Sequence, residues 1–318
     1  MDPNILQSIE VFAGLDPEVR AELAGVLVER NLQPGEAVFS EGDPGDTLFA
    51  IAEGVIRIQK RIAADGPASK TLSLLTRGEL FGEMSVLDSR PRSASAVADG
   101  PARLLCLPRT TFEGILTRNP RSAVALLSGV MRAMNERIRR LNAGVVAYDE
   151  VGRAIGSCDR LPPLLDQVLG QLLNAVGASA GVVFLESEFH RTLEPRGLAG
   201  ISPDAVPTER PGDRASLAAH AAQSPAGWLV TDRDSDERCR PFARRPWELR
   251  SLLLTPIAGS GGVLGLLVLG HPEPHRFDVN HLNLAEGIAR QTAQAIVNLR
   301  HREEQQSRAR LGRQMVKF

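Results

Sequence analysis

The stretch GELFGEMSVLDSRPRSASA, residues 78–96, decides how this sequence is interpreted. It places an acid, Glu83, and a base, Arg92, nine positions apart, among small residues that let backbone N–H groups approach a ligand. A buried carboxylate can accept a hydrogen bond from a sugar hydroxyl, and a buried guanidinium can form a forked pair with a phosphate. The turn at Gly82 enters a short predicted helix, whose first N–H groups lack intrahelical partners and suit an anion. The stretch therefore predicts a site for a small ligand that carries a phosphate and a sugar.

Residues 33–108, which surround this stretch, have the pattern of an antiparallel β-barrel or jelly roll. Short apolar runs such as TLFAIAEG and VIRIQ alternate with turns rich in Gly, Pro and Asp, for example EGDPGD. Residues 3–30 are predicted to be helical, because Asp16 can cap a helix that has Pro17 at its first position. The N-terminal part is therefore predicted to be a β-barrel or jelly roll with flanking helices.

A long helix is predicted after Asn119 and Pro120, where apolar residues recur in alternating steps of three and four. These residues are Val124, Leu127, Met131, Met134, Ile138, Leu141 and Val145. Two interpretations stay open. In one, the helix packs on its own barrel. In the other, which the strict 3.5-residue period favours, residues 120–146 pair with the same helix of a second copy in a parallel homodimer.

A second domain is predicted after a break that contains several Gly and Pro residues, at 152–163. The segments AGVVFLES, WLVTD, RSLLLTPIAG and GGVLGLLVLG predict strands. Predicted helices lie before them, at 164–176, and after them, from about residue 278 to beyond residue 300. Strands that alternate with helices indicate an α/β or α+β sheet domain of roughly 140 residues.

Charge and composition exclude several classes of protein. The 318 residues include 37 basic and 38 acidic ones, for a net charge of −1, and this balance disfavours nucleic acid or an anionic membrane as a partner. No apolar run approaches the roughly 18 residues of a membrane span, and the N-terminus lacks the apolar core of a signal peptide. We therefore expect a cytoplasmic protein. The three Cys and six His have no metal-ligand spacing, and no acid–base or nucleophile set is visible, so we expect neither a metal nor an enzyme.

The residues FGEMSVL…RPRSASA are similar to the phosphate-binding cassette of cyclic nucleotide-binding domains. Such domains occur in catabolite-activator-type transcription factors, in cyclic-nucleotide-dependent kinases and in gated channels. The resemblance covers about residues 5–145 and implies that Glu83 binds the ribose 2′-hydroxyl and Arg92 the phosphate. The other ligand-binding residues that it implies around this cassette are Phe81, Gly82, Met84, Ser85, Ser93 and Ala94.

The base of the nucleotide is expected to contact the long helix. In the activator-type members, small hydroxyl residues of that helix face the adenine amino group. The same spacing, counted from Arg92, reaches Arg137 and Ile138 in this chain. An arginine can stack on a purine or donate hydrogen bonds to it, so Arg137 completes the predicted set of ligand-binding residues. The resemblance favours cAMP over cGMP.

Residues 160–301 resemble a GAF domain, a ligand-binding or dimerising module of signalling proteins. The matching stretches include GWLVTDRDSDER and RFDVNHLNLAEGIARQTAQAIVNLR, and the resemblance implies a central antiparallel sheet. The NKxF…DE signature of GAF modules that bind cyclic nucleotides is absent, so no ligand is assigned to this domain. The predicted division is 1–148 for the cyclic nucleotide-binding domain with its dimer helix, 160–301 for the GAF-like domain and 302–318 for a basic, polar tail.

The predicted function is that of a non-enzymatic sensor and adaptor. A cyclic nucleotide would bind the first domain, and the dimer helix would relay its presence to the GAF-like domain and on to a signalling protein that the sequence does not identify. No helix-turn-helix follows the dimer helix, which departs from the transcription-factor members. One alternative is a protein-interaction scaffold with a vestigial nucleotide pocket. Another is a DNA-associated regulator that uses the basic tail.

Overall fold

The computed structural model describes residues 6–7, 9–61, 69–187, 190–210, 213–242, 248–259 and 262–315. The chain divides into two compact units, Met1–Arg139 and Arg140–Phe318. The dividing point lies inside one long helix, which therefore contributes residues to both units. The end of the first domain at residue 148 and the start of the second at residue 160 remain predictions from the sequence.

The first unit consists of antiparallel strands with helices before, between and after them. Helices α1 (Glu10–Ala13) and α2 (Pro17–Val26) come first, α3 (Glu83–Asp88) lies between β6 and β7, and α4 (Arg109–Arg118) and α5 (Pro120–Ser157) come last. The strands are β1 (Val28–Leu32), β2 (Ala37–Phe39), β3 (Thr47–Glu53), β4 (Ile56–Arg61), β5 (Ser69–Leu75), β6 (Leu80–Phe81), β7 (Ser95–Ala98) and β8 (Ala102–Pro108).

The described strands of this unit form two four-stranded sheets, in the orders β1-β8-β3-β6 and β2-β7-β4-β5. Successive side chains of a strand point to opposite sides of the sheet, and the side chains on both sides of β3 are buried. Leu48 and Ala50 pack in the core that contains the helices, whereas Phe49 and Ile51 pack in the core shared by the two sheets. This β-sandwich with flanking helices confirms the predicted fold class for the N-terminal part.

The helix predicted over residues 3–30 is wrong at its C-terminal end. The structure has α2 end at Val26, and Val28–Leu32 forms strand β1, which pairs with β8. Pairing with a sheet that is distant in sequence overrides the local apolar spacing there. Pro17 does lie at the start of α2, as predicted, while residues 3–5 lie outside the described part.

Helix α5 has two apolar faces. One face, with Ala123, Leu126 and Val130, is buried in the core of the first unit, and Ala147, Val151 and Ala154 are buried in the core of the second. The other face carries the predicted heptad positions, of which Met134 is partly buried. The remaining six are exposed: Val124, Leu127, Met131, Ile138, Leu141 and Val145. Apart from Met134, the heptad face is therefore not buried in the core of the first unit.

The described strands of the second unit form a five-stranded antiparallel sheet in the order β10-β9-β13-β12-β11. Its strands are β9 (Ala180–Glu186), β10 (Leu193–Ala199), β11 (Trp228–Val230), β12 (Ser251–Gly259) and β13 (Gly262–His271). Its helices besides the end of α5 are α6 (Leu161–Val176), α7 (Leu217–Ala222) and α8 (Val279–Met315). Helices α6 and α8 share a core with one face of the sheet, and α7 shares a core with the other. The predicted central antiparallel sheet is confirmed.

Asp278 caps the start of α8. Its Oδ1 accepts hydrogen bonds from the N–H groups of Asn280 at 2.9 Å and His281 at 3.0 Å, and it lies 2.9 Å from Nδ1 of His281. Nη1 of Arg140 lies 3.4 Å from Oδ2. Burial raises the pKa of this carboxyl, but the hydrogen bonds of His281 and the charges of His281 and Arg140 outweigh burial and lower the pKa to about 2.

We expect acid to weaken the second unit through Asp278. Because the pKa of this carboxyl is lower in the folded than in the unfolded state, its stabilisation is complete above about pH 5 and is lost as the pH falls towards 2. A shift of nearly two pKa units corresponds to about 2 kcal/mol. Asp278→Asn keeps a capping side chain but removes the charge. When the pH is lowered from 5.5 to 2, the free energy of unfolding in urea should fall for both chains. We expect the fall to be about 2 kcal/mol smaller for the variant than for the parent chain.

Tryptophan fluorescence makes this measurement specific for the second unit, because both tryptophans, Trp228 and Trp247, belong to its part of the sequence. An equal loss of unfolding free energy in the parent and in Asp278→Asn would contradict the prediction.

Candidate ligand-binding site

A cavity of about 250 Å³ opens in the first unit beside the start of helix α3. The chain enters α3 at Gly82, whose φ of +78° is a backbone conformation that side chains disfavour. A Cβ atom at this position would lie 2.6 Å from Nη1 of Arg92 and 3.1 Å from the carbonyl oxygen of Thr47. Glycine is therefore required here for two reasons, the backbone angle and the close approach of the guanidinium.

Arg92 is buried, with 4 % of its surface exposed. Its Nη1 donates to the carbonyl oxygen of Gly82 at 2.9 Å, and its Nη2 donates to that of Thr47 at 2.8 Å. The guanidinium carbon lies 4.2 Å from the centre of the Phe39 ring, within the range of a cation–π contact. The buried Nε has no hydrogen-bond partner. Arg92, which lines the cavity, is thus a cation held in a fixed position.

Burial lowers the pKa of Arg92 below its ordinary value, although the negative charges of Asp46, Glu83 and Asp43 act in the opposite direction. An arginine remains charged at neutral pH even so, because the guanidinium group is strongly basic. These three carboxylates compensate part of the charge of Arg92 from a distance. None of the described residues forms an ion pair with Arg92 within 4 Å. An anion in the cavity would supply that partner.

Glu83, the first residue of α3, is buried as well. Its Oε1 lies 3.5 Å from Nη1 of Arg137, which comes from helix α5. Nη2 of Arg137 donates to the carbonyl oxygen of Leu80 at 2.5 Å, and its buried Nε has no partner. The structure therefore joins the acid of the cassette to the arginine of the long helix, a pairing that the spacing in the sequence does not indicate.

Arg109, at the start of helix α4, fixes the other end of α3. Its Nη1 donates to Oγ of Ser89 at 2.7 Å, and its Nη2 donates to the carbonyl oxygens of Gly45, at 3.1 Å, and of Ser85. These bonds hold α3 from its C-terminal side, so they orient its first turn towards the cavity. No motif in the sequence singles out Arg109.

All nine residues predicted to bind the ligand line this one cavity: Phe81, Gly82, Glu83, Met84, Ser85, Arg92, Ser93, Ala94 and Arg137. Their contact with a ligand stays a prediction. The two sides of the cassette also touch each other, because Oγ of Ser93 lies 3.8 Å from Sδ of Met84.

Four further residues line the cavity and were not predicted from the sequence as ligand-binding residues: Phe39, Ile58, Lys60 and Leu72. They come from β2, β4 and β5, which the sheet order β2-β7-β4-β5 places beside the cassette. Ile58 and Lys60 are two residues apart on one strand and so share a face. That alternation is visible in the sequence, but it does not reveal which face meets the cavity.

Three polar residues of the second unit, Asp232, Asp236 and His220, have structural partners. Asp232 accepts hydrogen bonds from Nε and Nη2 of Arg250, at 3.0 and 2.8 Å, and Asp236 caps a short 3₁₀ turn. His220 is exposed and lies against the rings of Trp228 and Phe242. Among the described residues, no group of three or more His, Cys, Asp or Glu side chains could hold a metal ion.

The helices of the described part of the chain include none that is long and apolar enough to cross a membrane.

Two family models match the chain. The model for the cyclic nucleotide-binding domain matches residues 29–119, and the model for the GAF domain matches residues 160–297. The first match contains the whole cassette, including Glu83 and Arg92, and the second contains the five-stranded sheet. Both models describe regulatory domains.

Curated relatives resemble the N-terminal half. The "Cyclic AMP receptor protein" of Thermus thermophilus is 37 % identical over 51 % of this chain and 72 % of the relative. The "CRP-like cAMP-activated global transcriptional regulator" of Mycobacterium tuberculosis is 32 % identical over 47 % of this chain and 66 % of the relative. Among solved structures, the N-terminal domain of a transcriptional regulator from Streptomyces coelicolor A3(2) is 35 % identical over 42 % of this chain and 92 % of that chain, with a TM-score of 0.37.

The chain therefore spans about two thirds to three quarters of the length of these curated relatives. Because one of them is named as a transcriptional regulator, the comparisons give no support to the expectation that nucleic acid is disfavoured as a partner. That expectation stays a prediction from the charge balance.

Proposed function

The chain belongs to the family of cyclic nucleotide-binding regulators that includes the cyclic AMP receptor protein of Thermus thermophilus, and from this premise we propose that it is a cytoplasmic sensor of a cyclic nucleotide. The observation that carries the proposal is the buried guanidinium of Arg92, which lines the cavity and has no ion-pair partner within 4 Å among the described residues. The cyclic phosphate has one negative charge and would form the ion pair that Arg92 lacks. Glu83 would accept a hydrogen bond from the ribose 2′-hydroxyl.

The size of the cavity supports a mononucleotide. Its volume is about 250 Å³, and half-exposed apolar side chains at its edge, Leu72 and Met84, offer a surface for a purine. We propose cAMP as the preferred ligand, with cGMP as the competitor, because the names of the relatives above refer to cAMP.

A thermal-shift and calorimetry experiment tests this function. A ligand that binds only the folded chain stabilises it by about 2.7 kcal/mol at a concentration of 100 Kd. For a unit of this size, that corresponds to a rise in Tm of roughly 5–10 °C. The chain should be titrated with cAMP, cGMP and, as a control, 5′-AMP, which has the same base but no cyclic phosphate. An unchanged Tm in millimolar cAMP and cGMP would favour a scaffold with a vestigial pocket.

The exposed heptad face of α5 supports a second part of the proposal, a parallel homodimer. Six apolar side chains in a strict 3.5-residue repeat are exposed in the single chain, and that period suits a partner helix. A second copy of the same helix would cover all of them. Ligand binding near Arg137 would then change the α5 pair, and so the state of the GAF domain, by a shift of population between two arrangements.

The output of this sensor is proposed to be binding to a signalling protein rather than catalysis. Both matched family models describe regulatory domains, and Asp232 and Asp236 of the second unit are engaged in structural contacts. The GAF domain would present the surface that a partner recognises, and the ligand state of the first unit would control its availability.

A further inference from the structure

A second cavity, of about 690 Å³, opens on the surface of the GAF domain. Its volume is in the range of small-molecule sites. Six described residues line it, and all of them are polar or charged: His190, Arg191, Thr192, Glu194, Thr208 and Arg210. Most ligand pockets are lined mainly by apolar side chains. The lining of this cavity favours a small and highly charged ligand instead.

Backbone pairing between two segments positions four of these side chains. The N–H of Leu193 donates to the carbonyl oxygen of Glu209 at 2.7 Å, and the N–H of Glu209 donates to that of Leu193 at 2.9 Å. Both residues are buried, and Leu193 packs in the core shared with α7. Successive side chains of an extended segment point to opposite sides. The side chains at positions 192, 194, 208 and 210 therefore project together away from that core, where they line the cavity.

The other two residues of the lining come from the turn between β9 and β10. Arg191 has a φ of +51°, in the left-handed region that residues other than glycine rarely adopt. Two backbone hydrogen bonds close the turn. The N–H of Arg191 donates to the carbonyl oxygen of Ser187 at 2.9 Å, and the N–H of Ser187 donates to that of Thr192 at 2.8 Å. The turn thereby holds His190 and Arg191 at the cavity.

The charges of the lining leave the cavity positive. Its acidic residue, Glu194, pairs with Arg196, whose Nη2 lies 2.6 Å from Oε2, and Arg196 does not belong to the lining. By contrast, neither Arg191 nor Arg210 forms an ion pair within 4 Å with a residue that the structure describes. An anion with more than one negative charge would supply partners for both guanidinium groups.

We propose that this cavity of the GAF domain binds a small anion with two linked phosphate groups. Two cations on separate segments match two phosphate groups better than one. Arg191 and Arg210 would form forked pairs with phosphate oxygens, and the hydroxyls of Thr192 and Thr208 and the ring N–H of His190 would donate hydrogen bonds to them. The site lies in the second unit, so this inference does not rest on the function proposed above.

Calorimetric titration of the full chain with pyrophosphate tests the proposal. We expect a Kd below about 1 mM, and at least about five-fold weaker binding of inorganic phosphate, which has one group. Arg210→Gln and Arg191→Asn should each raise the Kd for pyrophosphate by about five-fold, the upper range for an exposed ion pair. Asparagine is chosen at position 191 because it tolerates the left-handed backbone. Equally tight binding of phosphate and pyrophosphate would overturn the proposed ligand class.

Arg240→Gln is the matched control, because Arg240 is an exposed arginine of the same unit outside the lining. Its Kd for pyrophosphate should stay within about two-fold of the parent value. Glu194→Gln tests the sign of the effect. It removes the negative charge of the lining and releases Arg196, so it should tighten pyrophosphate binding, which a merely structural role of these residues would not do. Equal Kd values in the parent chain and both arginine variants of the lining would overturn the inference.

Hydrogen exchange of the full chain locates the bound anion. Amides of residues 190–194 and 208–210 should exchange more slowly with pyrophosphate, and those of residues 81–94 should not change. Protection confined to residues 81–94, or no binding at about 10 mM pyrophosphate, would overturn the inference and leave the cyclic nucleotide proposal untouched. Titration with ADP distinguishes two sources of the diphosphate group. Tighter binding of ADP than of pyrophosphate at this cavity assigns it to a nucleoside diphosphate, and the reverse order assigns it to the inorganic anion.

Discussion

Replacing Arg92 with alanine is expected to raise the Kd for a cyclic nucleotide by about 30-fold or more. The side chain is the buried cation of the cavity, and its Nε is unpartnered. Loss of one partner from a buried, hydrogen-bonded charge pair costs about 2–5 kcal/mol, because the other charge is left without compensation. The cyclic phosphate would be that uncompensated charge. Isothermal calorimetry with cAMP and cGMP measures the effect directly.

The alanine variant also loses two hydrogen bonds to the carbonyl oxygens of Gly82 and Thr47, which join the cassette to strand β3. Its Tm should therefore be recorded, and Arg92→Lys serves as a second variant that keeps the charge but not the fork. We expect the lysine variant to bind more weakly than the parent chain and more tightly than the alanine variant. This order separates the role of the charge from that of the geometry.

Arg90→Ala is the matched control for Arg92, since Arg90 belongs to the same loop but its side chain is 83 % exposed and pairs with Asp88. Its Kd should stay within about two-fold of the parent value, as expected for an exposed ion pair. If Arg92→Ala folded and kept the affinity of the parent chain, the phosphate would not bind at this cation, and the assignment of the site would be wrong.

Two acidic substitutions on the exposed heptad face, Met131→Glu and Ile138→Glu together, should convert the proposed homodimer into a monomer. Both side chains are at least half exposed in the single chain, so the charges should not disturb its fold. In a dimer, the four replaced side chains would lose about 1.5 kcal/mol each or more of apolar burial. A total of at least about 6 kcal/mol corresponds to a Kd for dimerisation that is more than about 10,000-fold higher.

Sedimentation equilibrium at micromolar concentration checks this prediction. The parent chain should have twice the chain mass of 34.3 kDa, and the double variant should have the chain mass itself. Arg139→Glu is the control, because it changes the net charge by the same amount at an exposed position beside the heptad face. It should remain dimeric. A monomeric parent chain, or a dimeric double variant with unchanged circular dichroism, would exclude the heptad face as the interface.

Much of the first unit could be predicted from local patterns. Alternating apolar runs and glycine-rich turns predicted the strands, and the nine ligand-binding positions assigned from the resemblance meet in one cavity. This works because the cassette is nearly continuous in sequence, from Phe81 to Ala94, so a single loop and a short helix bring most of the site together. The need for glycine at position 82 can be predicted for the same reason, because it arises from a local backbone angle.

By itself, the sequence determined the β-sandwich, the GAF domain, the cassette with its acid and base, and the presence of an apolar stripe on α5. Only the tertiary structure decided that this stripe faces outward, that residues 28–32 form a strand, and that Arg137 pairs with Glu83. The physical reason is range. The sequence shows that a cation stands at Arg137, but Glu83 lies 54 residues before it, and β1 pairs with a strand at Ala102–Pro108. Such partners are chosen when the sheets close and the helices pack.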